Sequence, residues 1–303
     1  MPDSWKLTAF ADKPTIQAAL VAQEDAEDWD YEVVLAGFEL ADDRPDDWRL
    51  DIYFPRKPTR ADRAMVAALF AGGAPELHEE RLPETDWVTE SQQGVDPIRA
   101  GRFYVHTPEH APSEARGVVN LAIPASQAFG TGQHATTAGC LAMLDAMKRR
   151  GVAVRNLADI GTGTGLLAFA ALALWPRALA TASDIDPVCV DVVESNAAAN
   201  GFTMGGRPGE LAMVAADGMH HPLLRARAPY DLLIANILAG PLIELAPDFA
   251  RAVAPGGHLL LAGLLETQEP GIRRAYRRAG FRLASRIVSG DWSILWLRRR
   301  TAR

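Results

Sequence analysis

Gly161-Thr162-Gly163-Thr164-Gly165 follow the apolar run Leu157-Ala158-Asp159-Ile160 and precede Leu166-Leu167. Closely spaced glycines let a backbone approach a ligand where a Cβ would collide. The helix that opens directly after them offers N–H groups to an anionic or polar group. A dinucleotide pyrophosphate takes the wider G-x-G-x-x-G spacing, which Gly161, Gly163 and Gly165 do not make, so a nicotinamide-dependent oxidoreductase is disfavoured. About twenty residues further on, Asp184 ends a second apolar run, where a carboxylate accepts both ribose hydroxyls of a nucleoside. Asp186, directly before Pro187, reads as a helix cap, although the two carboxylates could exchange roles. Asp217 is a candidate for an adenine amino group, or equally for turn formation. Asn236 ends Asp231-Leu232-Leu233-Ile234-Ala235 and could orient an incoming amine by accepting a hydrogen bond. His134 could act as a base, or could simply pack beside Thr136 and Thr137. A binding module with a vestigial site is disfavoured because Gly161, Asp184 and Asn236 are all present.

These residues need strand ends to hold them. From Val118 onward the pattern alternates strands at 156–160, 178–184, 211–215, 231–236 and 257–262 with helices at 136–149, 165–175 and 187–200. That alternation predicts a parallel sheet with helices on both faces, a doubly wound α/β fold. After a helix at 267–279, strands at 281–288 and 292–298 flank Ser289-Gly290-Asp291 and predict a terminal antiparallel hairpin. The front of the chain reads strand, helix, strand, strand, helix, strand, the α+β ferredoxin-like order. Thr59 caps the second of those helices and Gly72-Gly73 ends it. The expected domains are 1–83, a linker at 84–117 with one strand at 102–106, and 118–303.

Of 303 residues, nearly half are hydrophobic, enough for a sizeable core. No apolar run approaches the roughly 18 residues of a membrane span, and the start lacks a basic segment followed by an apolar one. A cytoplasmic monomer with no membrane association is the expectation. Cys140 and Cys189 form neither a disulfide framework nor a metal-ligand spacing and are read as core residues; His220-His221 lacks partners at ligand spacing, and no metal is expected. Residues 1–90 hold 21 acidic and 9 basic side chains, a balance of −12, whereas the remaining 17 and 22 give +5. An acidic front end attracts a basic partner and repels bare nucleic acid. The arginines at 273–286 and 298–303 could be cited for nucleic acid, although the first of them recur at helical spacing and read as a solvated helix face.

The tighter G-x-G-x-G form resembles the first motif of class I methyltransferases. Many amino-methyltransferases have Asn-Pro-Pro-aromatic where this chain has Asn236-Ile237-Leu238-Ala239. Together with Ala128-Phe129-Gly130-Thr131-Gly132-Gln133-His134-Ala135-Thr136-Thr137, Asp184-Ile185-Asp186-Pro187, the 196–201 segment and Gly240-Pro241-Leu242, the chain closely resembles the methyltransferases of large-subunit ribosomal protein 11, the PrmA family. The resemblance covers 118–303 and extends more weakly to Asp86-Trp87, Pro97, Arg99 and Gly101. It departs from the family at Ala135, Thr162, Thr164 and Ser91, where Pro, Cys, Ser and Trp are usual. It implies S-adenosyl-L-methionine as cofactor, held by Phe129, Gly130, Thr137, Gly161, Gly163, Gly165, Asp184, Asp217 and Asn236. It also implies protein methylation at lysine ε-amines and the N-terminal α-amine of that ribosomal protein, docked by the acidic front domain, with no direct nucleic-acid binding required. The competing expectations are a lysine methyltransferase of another protein and a nucleic-acid N-methyltransferase.

Overall fold

The computed structural model describes residues 5–24, 29, 33–40, 46–81, 97–124 and 133–301. Two units divide the chain, Met1–Glu90 and Ser91–Arg303. In the first, strand β1 (Trp5–Asp12) leads into helix α1 (Lys13–Glu24), whose first turn is capped by Asp12 Oδ1 accepting from the Thr15 N–H at 2.9 Å. Strands β2 (Val34–Glu39) and β3 (Asp47–Phe54), helix α2 (Arg60–Ala68) and strand β4 (His78–Arg81) follow. Thr59 and Asp62 form a reciprocal capping box at the start of α2, satisfying two N–H groups that helix geometry leaves open. The sheet order β2-β3-β1-β4 is antiparallel throughout, the ferredoxin-like arrangement expected from the element order. Leu7, Ile16, Leu50, Ile52, Phe54 and Val66 form its own core.

In the second unit, strands β5 (Ile98–Ala100) and β6 (Phe103–His106) form a hairpin, and β6 pairs in parallel with β7 (Val119–Ala122). These residues fall largely within the segment expected to be a linker. Phe103 and Val105 are buried in the unit's core, and the hairpin is fixed polar-side as well. Arg102 Nε donates to the buried Asp145 Oδ1 at 2.6 Å, on helix α3 (Gln133–Arg149). Gly101 has φ +59°, and a Cβ there would press on that carboxylate at 2.8 Å. The polar and Pro-rich composition concealed this packing because the anchoring contacts lie more than forty residues away in α3.

The main sheet contains β8 (Asn156–Ile160), β9 (Leu179–Asp184), β10 (Leu211–Ala215), β11 (Tyr230–Asn236), β12 (Val253–Leu265), β13 (Phe281–Ser289) and β14 (Trp292–Arg299). Its order is β10-β9-β8-β11-β12-β14-β13. Every pairing is parallel except those of β14, antiparallel to β12 and β13. Strand residues alternate between two cores, as both-face burial requires. Leu157, Leu232, Ile234 and Leu260 pack with α3, α4 (Leu166–Leu174) and α5 (Val188–Ala199). Ala158, Leu233, Leu259 and Leu261 pack on the other face with α7 (Ala239–Glu244), α8 (Ala246–Ala252) and α9 (Glu269–Arg278); α6 (Pro222–Arg227) precedes β11. The strand order reverses between β8 and β11, so their carboxyl ends open the crevice where such sheets bind ligands.

Candidate active site

The turn from β8 into α4 is built on backbone conformations that side chains resist. Gly161, Gly163 and Gly165 have φ of +70°, +55° and +82°, left-handed values that favour glycine. A Cβ at Gly165 would meet the Phe169 ring at 2.8 Å. The Gly161 and Thr162 N–H groups donate to the Ser183 carbonyl at 2.8 and 3.0 Å, tying the turn to the end of β9. Asn196, buried in α5, donates from Nδ2 to the Thr164 carbonyl at 3.0 Å. Helix geometry leaves the first-turn N–H groups of α4 without intrahelical partners, and that of Ala168 is taken up by Asp159.

Asp184 joins this turn directly: Oδ2 accepts from the Gly163 N–H at 2.8 Å and Oδ1 from the Asp186 N–H at 3.1 Å. Asp186 Oδ1 accepts from the Val188 N–H at 2.9 Å, which caps α5 and distinguishes the two carboxylates. Asp217 is exposed just after β10. Its carbonyl accepts from the His220 N–H at 3.0 Å, while the Ala216 N–H donates to the Asp184 carbonyl at 2.7 Å. Asn236 is the last residue of β11 and is half-buried. Thr137 is buried near the start of α3. Phe129 and Gly130 lie outside the described residues, as does the side chain of His134, whose backbone belongs to α3.

Several determinants were not assigned from the sequence. Asp159 is buried in β8, with Oδ2 accepting from Thr162 Oγ1 at 2.7 Å and from the Ala168 N–H at 3.1 Å. Burial pushes its carboxyl up to about 7, and Oδ1 has no hydrogen-bond partner among the described residues. A lone Asp inside an apolar strand was the available signal. Gly263, in β12 with φ +81°, lies where a Cβ would collide with the Ile237 backbone, and a Cβ at Gly161 would collide with the Ile237 side chain. Ile237 is therefore held between two glycines, which fixes the path of the chain after Asn236. An isolated glycine within a strand signals such an approach. Asn200 binds Ala122 in both directions at 2.7 Å, fastening β7 to the end of α5.

One reading changes. Cys140 is buried, but Cys189 is only half-buried. It lies beside Asp184 and Asp186, and desolvation followed by those two carboxylates raises its thiol to about 11. Its place in the first turn of α5, at the exit of β9, keeps it out of the core. His221 Nδ1 accepts from the Leu223 N–H at 3.1 Å and caps α6.

The carboxyl ends of β8, β9 and β11, with a carboxylate bonded to the glycine turn and an amide ending β11, suit a nucleoside bearing a polar tail. Comparison with known proteins narrows this. The family described as ribosomal protein L11 methyltransferase (PrmA) matches residues 12–300. The ribosomal protein L11 methyltransferase of Agrobacterium fabrum (strain C58) is 38% identical over 271 residues, covering 88% of this chain and 90% of its own. That of a Chelativorans species is 40% identical over 240 residues, covering 79% and 80%. A crystal structure of a ribosomal protein L11 methylase from Lactobacillus delbrueckii subsp. bulgaricus superposes with a TM-score of 0.56 at 27% identity, covering 68% of this chain and 98% of that one. Joined to the doubly wound sheet and its terminal hairpin, these likenesses show that the chain belongs to the ribosomal protein L11 methyltransferase (PrmA) family, S-adenosylmethionine-dependent protein methyltransferases.

Proposed function

We propose that this enzyme methylates ribosomal protein L11 at lysine ε-amines and at the N-terminal α-amine, with S-adenosyl-L-methionine held between the glycine turn and the end of β11. The observation that carries the reading is the direct bond from the Gly163 N–H to Asp184, which unites turn and carboxylate into one cradle. Asp184 takes the ribose hydroxyls and Asp217 the adenine amino group. The turn 161–165 and Thr137 receive the amino-acid tail, with Phe129 and Gly130 closing over it. The cofactor supplies an electrophilic sulfonium methyl.

The remaining work of the protein is positional, since an in-line, desolvated approach of a neutral amine supplies much of the acceleration. Asn236, fixed in direction by the glycines around Ile237, orients that amine as an acceptor. A lysine of reference pKa about 10.4 must lose a proton first, an α-amine near 8 more readily. That proton passes to solvent or to His134. The acidic unit at 1–90 receives the basic substrate, and the enzyme works as a cytoplasmic monomer. Incubation with labelled cofactor and an extract lacking the modification, followed by mass spectrometry, should place label on this ribosomal protein. Label confined to RNA or to other proteins would refute the assignment.

A further inference from the structure

Five large hydrophobic side chains of the Ser91–Arg303 unit are exposed among the described residues: Ile185, Val188, Leu238, Ile243 and Val288. All five lie at one end of the main sheet. Ile185 and Val188 follow β9, Leu238 and Ile243 follow β11, and Val288 pairs with Ser293, which pairs with Leu264 near the end of β12. The site row, from Ile160 to Ala235, crosses the same end. Single exposed apolar residues need no explanation, but their confinement to the crevice end does. Ile185 and Val188 accompany Asp184 on the nucleoside side. Leu238 stands two residues past Asn236, on the acceptor side, with the two Cα atoms no more than about 7 Å apart.

Leu238 is the most exposed of the five, at 73%. That exposure does not come from a loose backbone. On one side, Ile237 is clasped between Gly161 and Gly263. On the other, the Leu238 carbonyl accepts from the Leu242 N–H at 3.2 Å as α7 opens, and the Leu242 carbonyl accepts from the buried Tyr276 hydroxyl at 2.8 Å. A leucine held in water in this way leaves a favourable burial unused until an apolar partner covers it. Gly240, in the first turn of α7, is exposed as well, and a Cβ there would have nothing within 4 Å. Neither its φ nor its packing demands glycine, which is a costly choice inside a helix. The missing side chain keeps space open two residues beyond Leu238.

The composition of this ledge selects its occupant. From Asn236 to Ile243 the chain carries no charged and no aromatic side chain. An aromatic wall would stack a planar base, and a carboxylate would hold an amine in its charged, unreactive form. An aliphatic, uncharged wall does neither. It packs against methylenes and, by desolvation, disfavours a charge at their end. Four methylenes ending in an amine are a lysine side chain. An N-terminal α-amine has no such stem, and with a reference pKa near 8 it loses its proton without that help.

We infer that Leu238 is a specificity-determining residue for ε-amines: the four-carbon stem of the acceptor lysine lies on it while Asn236 receives the nitrogen, and Gly240 leaves room for the stem to pass. The inference rests on the proposed pair of acceptors and adds that they use the site unequally. Lysine depends on the ledge; the α-amine does not.

The test gives the full-length enzyme saturating S-adenosyl-L-methionine and free ribosomal protein L11, and mass spectrometry counts early ε- and α-amine methylation in the same reaction. Both products come from one enzyme preparation and one cofactor pool, so their ratio is insensitive to partial misfolding and to altered cofactor affinity. Leu238→Ala should lower the ε-to-α ratio about tenfold, the worth of roughly two buried methylenes. Leu238→Met keeps an apolar side chain of similar volume and should hold the ratio within about twofold of wild type. Gly240→Leu, which a helix accepts better than glycine, should lower the ratio by obstructing the stem without lowering the melting temperature. An unchanged ratio in Leu238→Ala, including equal loss of both products, would overturn the inference, as would an equal effect of Leu238→Met. Absence of either product from the wild-type enzyme refutes the acceptor assignment and the inference with it. Wild-type labelling of both amines with an unchanged ratio in the variants removes the ledge alone.

Discussion

Asp159 and Asn236 show how differently two polar residues of one site behave. Because the folded-state pKa of Asp159 is pushed up from 3.8 to about 7, chiefly by burial, the folded protein keeps a proton that the unfolded chain releases. Its contribution to stability is full below about pH 4 and is lost as pH rises through about 7. Asp159→Asn keeps an oxygen for Thr162 and for the Ala168 N–H but cannot ionise. Denaturant midpoints measured from pH 5 to 8 should therefore fall less steeply in the variant, a differential gain of a few kcal/mol at the upper end; parallel curves would contradict it. Asn236 is expected to act on turnover. Asn236→Ala should reduce kcat about 100-fold at saturating cofactor and protein, with cofactor affinity changed less than about tenfold; full turnover would remove it from the mechanism. Asn236 was visible in the sequence as the end of an apolar strand. The role of Asp159 was not, because its burial depends on α3 and α4 packing over β8.

At the level of elements, the strand ends are set by glycines in β8–α4 and in β12. Gly263→Ala meets two penalties, a left-handed φ of +81° and collision with the Ile237 backbone, and should destabilise by about 2 to 4 kcal/mol. Gly290→Ala is the control, with φ +56° and nothing within 4 Å; it should cost only about 1 to 2 kcal/mol. Thermal unfolding of the two variants measures the difference, and Gly263→Ala should also lose turnover as the Asn236 segment shifts. Equal melting temperatures would show that the segment relaxes freely. The strands from 156 to 299 and the helices at 165–175, 187–200 and 267–279 were legible because apolar residues recur at the strand and helix periods; the short helices α6, α7 and α8 were not read from the sequence. Strand β6 was also read, at 102–106, but its pairing with β5 was not, since that hairpin is held by Asp145 and by the core beneath α3.

Across the whole molecule, the acidic residues gather in the Met1–Glu90 unit, which has a core of its own, while the glycine turn, Asp184 and Asn236 all belong to Ser91–Arg303. Removal of residues 1–90 should leave cofactor affinity within about threefold by calorimetry, because both cores of the main sheet remain. Methylation of the ribosomal protein should fall by at least about 100-fold, a loss of about 3 kcal/mol of productive binding. Full methylation by the 91–303 fragment would show that substrate recognition resides elsewhere.

The alternation of the main strands with the longer helices, the glycine spacing, the acidic front end and the family likeness were determined by the sequence alone, because each depends on local periodicity, backbone freedom, motif or charge count. Tertiary structure decided which residues meet. It brought Ser183, Asp184 and Ile237 to the glycine turn and placed Gly263 behind Ile237. Those contacts join positions distant along the chain. Close packing and strand register select such partners, and neither is written in any single segment.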